Sequence, residues 1–404
     1  MRLVNTQTLQ LEEFFDSKVP KYTILSHRWE SDEVSHKSYV KGRFETTQDG
    51  YKKIVGCCDF ARQRAYGYVW IDSMAINSMY KWYQNAQECY IYMSDVPPPA
   101  DDPKWRTRFA QSAWFTRGWT LQELLAPRTR LFCAQDWTIL GLVVEGASVS
   151  WPFEIMNRLV ADLTGIPFRV LCERKALASY SVAQRMSWAA HRETTRAEDQ
   201  AYCLLGIFGI NMPLLYGEGT RAFWRLQQEI MKRTNDETIF VFERPGEPRG
   251  ELVYATPELN RRPLAMLATS PAQFSPCHNV QRAQMHQRPP YQLTNQGLEI
   301  RLGQAYVESP TSGKIILLAL GCTRSDSIMD FMTSDGSSLY WIVLQWEDCG
   351  HYVVKDATFD SPSGTTLKAR ESGPNPEWVW GKEDDTIWVH TSDEEGPNLK
   401  TVCG

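Results

Sequence analysis

Tyr68-Val69-Trp70-Ile71-Asp72 decides how the chain is read. An unbroken run of β-branched and aromatic residues, ended by a carboxylate, predicts a strand buried on both faces. Apolar residues at helical spacing flank it. Tyr51, Ile54, Val55, Cys58 and Ala65 fall near a 3.6-residue period upstream, and Ile76, Met79, Tyr80, Tyr83 and Tyr90 do so downstream. Further out, Tyr22-Thr-Ile-Leu-Ser26 is a short apolar strand, and Tyr90-Ile-Tyr-Met93 is another, closed by Pro97-Pro98-Pro99. Leu121 to Leu125 reads as helix and Arg130-Leu-Phe-Cys133 as strand. Alternation of this kind predicts a parallel sheet with helices on its faces.

The middle of the chain reads as helical. Ser181-x-x-Gln184 and Thr195-x-x-Glu198 have the capping-box spacing, Gly209 follows an apolar helical stretch, and Thr220 stands before Phe223, Leu226 and Ile230. After Asn235 the pattern changes. Thr238–Phe242, Leu298–Leu302, Lys314–Ala319, Leu339–Leu344, His351–Val354 and Thr386–His390 read as strands separated by Gly, Pro, Asp and Ser. The expected architecture is mixed α/β and α+β: a parallel N-terminal sheet with flanking helices, a helical middle and a mostly antiparallel C-terminal β region. The expected domains are 1–235 and 236–404, two for 404 residues at roughly 150 residues each.

Composition narrows the function classes. A net charge of −5 argues against a basic field, so no nucleic-acid partner is expected. The ten cysteines include no C-x-x-C pair and are too sparse for a secreted disulfide scaffold. Met1-Arg-Leu-Val-Asn5 does not open a signal peptide, and no apolar stretch is long enough to span a membrane. A cytoplasmic globular protein is expected. Fifteen tryptophans could line an apolar pocket, although core packing is the ordinary fate of such rings.

Several motifs resemble those of fungal heterokaryon-incompatibility (HET) domains. Tyr22-Thr-Ile-Leu-Ser-His-Arg-Trp29, Gly50-Tyr51-Lys-Lys-Ile54, Tyr68 to Asp72 and Ala75 to Tyr83 occur in the family's order. The likeness is strongest at Trp114-Phe-Thr-Arg-Gly-Trp-Thr-Leu-Gln-Glu-Leu-Leu-Ala-Pro127. It continues at Ser181–Trp188, Glu198–Gly206, Met212–Gly219 and Tyr291–Gly297. The resemblance implies a TIR-like fold, a role in self/non-self cell death and, by analogy with TIR enzymes, hydrolysis of NAD. Such hydrolysis needs a glutamate after the Asp72-type strand to stabilise an oxocarbenium-like transition state. Family members carry there a longer loop with a Cys-Cys-Ile-Asp run and a Glu. This chain passes from Asp72 through Ser73 and Met74 directly to Ala75.

That departure shifts the expectation towards a repurposed pocket. HET-like proteins are assigned in diterpenoid pathways to intramolecular Diels–Alder cyclisation, such as norbornene formation in sordarin-type compounds. This chemistry needs a shaped cavity for a small apolar molecule and donors to a carbonyl, with no cofactor, metal or nucleophile. The expected catalytic residues are His27, Arg117 and Asp72, and the expected substrate-binding residues are Trp29, Trp70, Trp119 and Glu123. Each has a plainer alternative: a backbone-bonded histidine, a helix-capping aspartate, an Arg117–Glu123 ion pair, and tryptophans in the core. Two other readings stay open, a cell-death effector and a catalytically inactive regulator that binds a protein partner through its β-rich half.

Overall fold

In a computed structural model the described residues are 1–15, 18–30, 32–71, 76–146, 153–243, 267–282, 291–294, 297–300, 303–309, 313–324, 339–347, 351–358 and 387–389. They fall into two units, Met1–Ser179 with Arg192–Gly217, and Tyr180–His191 with Glu218–Gly404.

The first unit is built on seven strands: β1 (Arg2–Asn5), β2 (Leu11–Glu13), β3 (Thr23–His27), β4 (Tyr68–Trp70), β5 (Cys89–Tyr92), β6 (Thr129–Cys133) and β7 (Ile139–Val144). Their order is β2-β1-β4-β3-β5-β6-β7. The inner four run parallel, with Ile24 opposite both Trp70 and Cys89, and Tyr90 opposite Leu131. Outside these four, β1, β2 and β7 pair antiparallel. The apolar runs form the inner strands because both faces are covered: Ile24, Leu25, Val69, Trp70, Tyr90, Ile91 and Phe132 are fully buried. Each such side chain is worth about 1.5–3 kcal/mol of burial.

The helices in chain order are α1 (His36–Val40), α2 (Asp49–Gln63), α3 (Ile76–Asn85), α4 (Trp105–Ala110), α5 (Thr120–Leu125), α6 (Phe153–Thr164), α7 (Phe168–Cys172), α8 (Val182–Ser187), α9 (Asp199–Tyr202), α10 (Leu205–Phe208) and α11 (Arg221–Met231). Helices α8 and α11 belong to the second unit, the rest to the first. Ser181 caps α8 with the reciprocal bonds expected of its spacing. Gly209 ends α10 in the left-handed region at φ +65°, where a side chain would be strained. The box expected at Thr195 does not form: α9 starts only at Asp199, and the Glu198 carboxylate accepts the N–H of Gly217 at 2.7 Å. Thr220 lies in helical conformation and gives α11 no side-chain cap.

The described strands of the second unit are β8 (Val280–Arg282), β9 (Gln292–Thr294), β10 (Gly297–Ile300), β11 (Gly303–Ser309), β12 (Gly313–Arg324), β13 (Leu339–Glu347), β14 (His351–Thr358) and β15 (Ile387–Val389). They form a β15-β10-β9 sheet and a β11-β12-β13-β14 sheet with β8 on β12, antiparallel throughout. The chain is therefore of the expected mixed class, with a mostly parallel sheet first and antiparallel sheets after. One expected strand is something else. Thr238–Phe242 begins as a 3-10 turn, Glu237–Phe240, because buried Asp236 accepts both the N–H and the hydroxyl of Thr238 and closes the turn.

Candidate functional site

A cavity of about 420 Å³ opens in the first unit beyond the carboxyl end of β3. Ligands gather at this end of the strands in open α/β sheets. His27 and Trp29 reach it from β3, and Met79 and Tyr83 from α3. Arg117 and Trp119 come from the approach to α5 and Glu123 from its first turn, and Arg196, Asp199, Leu214 and Tyr216 from the α9 segment and the loop after α10.

Glu123 sits in the first turn of α5 and is 5% exposed. Its carboxylate accepts the hydroxyl of Ser26 at 2.5 Å, and Ser26 Oγ accepts the indole N–H of Trp114 at 2.8 Å. An indole N–H only donates, so the proton of Ser26 is committed to Glu123. A half-buried cation stands near: the Arg192 guanidinium feels the charge of Glu123 and donates to the Arg117 carbonyl at 2.9 Å and to Thr120 Oγ1 at 2.8 Å. Burial lowers the Arg192 pKa to about 10, which leaves it charged at neutral pH.

His27 is buried at the strand end, its ring stacked on Trp29 with centroids 5.9 Å apart. Its Nε2 lies 3.7 Å from Glu33 Oε1, and Glu33 also pairs with buried Lys53. Burial holds the imidazole pKa well below its usual value, and Lys53 and Arg117 add to the effect. The ring is thus neutral at pH 7. Arg117 donates from Nη1 to the His27 carbonyl at 3.2 Å, which ties the α5 approach to the sheet.

Asp199 opens α9 and is 9% exposed. Its Oδ1 accepts the Tyr216 hydroxyl at 2.9 Å, and the Trp119 side chain also hydrogen-bonds it. Burial raises its pKa despite these donors. The Arg196 guanidinium lies over the Tyr216 ring, 4.5 Å from the centroid. Two further bonds hold the Tyr216 loop to the α9 segment, Leu215 N–H to Tyr202 Oη at 2.8 Å and Gly217 N–H to Glu198 at 2.7 Å.

Of the residues singled out in the sequence, the fold gathers His27, Trp29, Arg117, Trp119 and Glu123 around one cavity. Trp70 is elsewhere: it is fully buried, with its ring 5.4 Å from Trp82 and 5.9 Å from Tyr83. Asp72 and the junction to Ala75 lie outside the described residues. Sequence reasoning missed Ser26, Asp199, Arg196 and Tyr216. Ser26, Asp199 and Tyr216 lie in the Tyr22–Trp29, Glu198–Gly206 and Met212–Gly219 motifs, whereas Arg196 stands just before the second of these and carried no such signal. Among the described residues no group of three or more His, Cys, Asp or Glu stands together as a metal site. Among them, too, no helix is long and apolar enough to cross a membrane.

Comparison with known proteins agrees with the family resemblance. Over 251 residues the chain is 40% identical to the vegetative incompatibility protein HET-E-1 of Podospora anserina. The shared stretch is 57% of this chain and 17% of that much longer relative. Over that stretch the chain is similar to a heterokaryon-incompatibility protein. Residues 221–351 match the family described as a domain of unknown function (DUF8212). No solved structure matches.

Proposed function

We propose that the first unit is an enzyme of vegetative-incompatibility type that hydrolyses the glycosidic bond of a nucleotide in the cavity beyond β3. One observation carries this reading: a buried carboxylate, Glu123, lines the cavity, with one oxygen held by the Ser26 hydroxyl and the Arg192 charge within electrostatic reach. The family pattern puts the carboxylate such a reaction needs in a loop after the Asp72-type strand; this chain passes directly from Asp72-Ser73-Met74 to Ala75, and Glu123 offers a carboxylate in its stead.

As the bond to the anomeric carbon breaks, positive charge spreads over that carbon and the ring oxygen. A preorganised carboxylate in a dry site stabilises that charge without reorganising at the moment of reaction. Arg117 and Arg196 offer planar donor forks that suit phosphate oxygens. Trp29, 41% exposed, offers a ring face for a base. The relative's name supports the incompatibility role. We further propose that the protein works in the cytoplasm, and that a HET-like domain over 1–235 carries the chemistry. A β-rich domain over 236–404 would then be the surface for a protein partner.

The test is incubation of the purified chain with NAD and with purine nucleotides, following release of free base. Glu123→Gln is expected to lower turnover by about 10²–10³-fold. Absence of turnover by the unaltered chain on every nucleotide would overturn the reading.

Diels–Alder cyclisation of an apolar terpenoid-like substrate is the second reading. Trp29, Met79, Trp119 and Leu214 favour it, since they give the cavity an apolar share of its wall. Against it, a hydrocarbon would strip water from Glu123, Asp199, Arg117 and Arg196 without replacing it. A linear diene bearing a carbonyl-activated dienophile, cyclised no faster and with no altered stereochemistry over buffer, would remove this reading.

A further inference from the structure

We propose that Asp199 is the proton donor of the cavity, serving glycosides whose base leaves only when protonated, such as purine nucleotides. This rests on the glycosidic reading above and names its substrate class. The geometry sets two carboxylates in one cavity in unlike surroundings. Glu123 comes from α5, is bonded by Ser26 and has the half-buried Arg192 guanidinium near it. Asp199 comes from α9, and its hydrogen-bond donors are the neutral groups of Tyr216 and Trp119. The neighbouring cation, Arg196, lies over the Tyr216 ring and its charge favours the Asp199 carboxylate, while the charge of Glu198 opposes it. Burial outweighs these donors and favours the protonated carboxyl. Two carboxyl groups in one cavity with such unlike neighbours can divide the roles of acid and charge stabiliser.

The step balances without a cofactor. The bond between the anomeric carbon and the base nitrogen breaks, and its electron pair goes to the base. Asp199 delivers its proton to a base nitrogen, so the base leaves neutral. Water adds to the anomeric carbon opposite the carboxylate of Glu123 and gives its proton to Asp199, restoring the acid. The products are the free base and the ribose phosphate. A pyridinium base already leaves neutral, so the acid has far less to contribute to it. The Tyr216 loop fits a positioning role, since Leu215 and Gly217 are bonded to the α9 segment on either side of the tyrosine.

The experiment compares kcat/KM for adenine release from AMP and for nicotinamide release from NAD, in the full chain and in Asp199→Asn, Tyr216→Phe and Glu123→Gln. Asp199→Asn is expected to lose about 10²–10⁴-fold on AMP and a much smaller factor on NAD, as removal of a general acid does. Residual NAD turnover then reports that the variant is folded. Tyr216→Phe removes a donor that favours the Asp199 carboxylate, so the basic limb of the AMP pH profile should move to higher pH. Equal losses on the two substrates, or an unaltered chain that cleaves NAD but not AMP, would overturn the proposal and leave the glycosidic reading standing. Glu123→Gln that keeps full turnover would overturn the glycosidic reading, and this proposal with it.

Discussion

Ser26 and Glu123 share a 2.5 Å hydrogen bond that joins the end of β3 to the first turn of α5. Trp114 donates to the same serine oxygen from behind at 2.8 Å, so three buried residues from three segments act as one unit. Ser26→Ala removes the donor and leaves the carboxylate oxygen in a site water reaches poorly. The expected cost is about 1–3 kcal/mol of stability, read from the urea midpoint. If the serine aims Glu123, kcat should fall with KM nearly constant. A stability loss with unchanged kcat would assign the serine to the core alone.

His27 carries a pH dependence whose sign is set by its depressed pKa. A histidine in the unfolded chain takes up a proton near pH 6.5, whereas the buried ring resists protonation until well below that. Its contribution is therefore complete above pH 6.5 and is lost as pH falls towards the folded pKa, because the unfolded chain binds the extra proton. The slope for one such group is at most about 1.4 kcal/mol per pH unit. Urea midpoints measured between about pH 7.5 and pH 5 should fall less steeply in His27→Gln than in the unaltered chain. Parallel slopes would show that another group governs the acid limb.

Arg130 is a buried brace for the same wall. It is 1% exposed on β6, with Nη1 donating to the Leu124 carbonyl at 2.9 Å and Nη2 to the Leu171 carbonyl at 2.6 Å. Leu124 follows Glu123 in α5, so the guanidinium ties the turn that carries Glu123 to α7. Arg130→Lys keeps the charge but replaces the planar fork by a single point donor. A loss of about 2–4 kcal/mol in urea unfolding is expected, as for a buried charge left with fewer partners. Arg130→Met should cost no less, since both carbonyls then lack this donor.

The parallel core was legible because Tyr22–Ser26, Tyr68–Ile71 and Arg130–Cys133 are short runs rich in β-branched, aromatic and aliphatic residues set between helical patterns. The antiparallel strands β1, β2 and β7 were not foreseen. Thr238–Phe242 misled because its β-branched composition says nothing of Asp236, whose carboxylate turns the chain. At the site, His27, Arg117 and Glu123 stand in dense motifs and were visible as charged residues among apolar ones. Asp199 and Tyr216 were not visible, because they meet only when the 213–217 loop folds back on α9, and along the chain Asp199 reads as an ordinary first-turn acid. Trp70 and Trp29 illustrate the limit of residue type alone: both are tryptophans near strand ends, one sealed in the core and one at the cavity.

Gly206 and Tyr80 set the seat of α3, and with it one wall of the cavity. A methyl group at Gly206 would fall within the van der Waals envelope of Tyr80 Cβ, Cγ and Cδ2, atoms too close to the α3 backbone to swing aside. Gly206→Ala therefore either compresses the α10–α3 contact or pushes α3 outward. Overpacking of this kind costs about 1–3 kcal/mol. Because α3 also carries Met79 and Tyr83, and Tyr83 Oη is bonded to the Leu25 carbonyl at 2.9 Å, an outward shift would open the cavity and strain that bond. The expected result is a lowered urea midpoint together with a raised KM for the nucleotide. Combining Gly206→Ala with Tyr80→Ala removes the ring atoms of the clash, so the double variant should be more stable than the sum of the two single losses implies. Strict additivity would mean that α10 and α3 accommodate the methyl group by another route, and the link between this contact and the cavity would be lost.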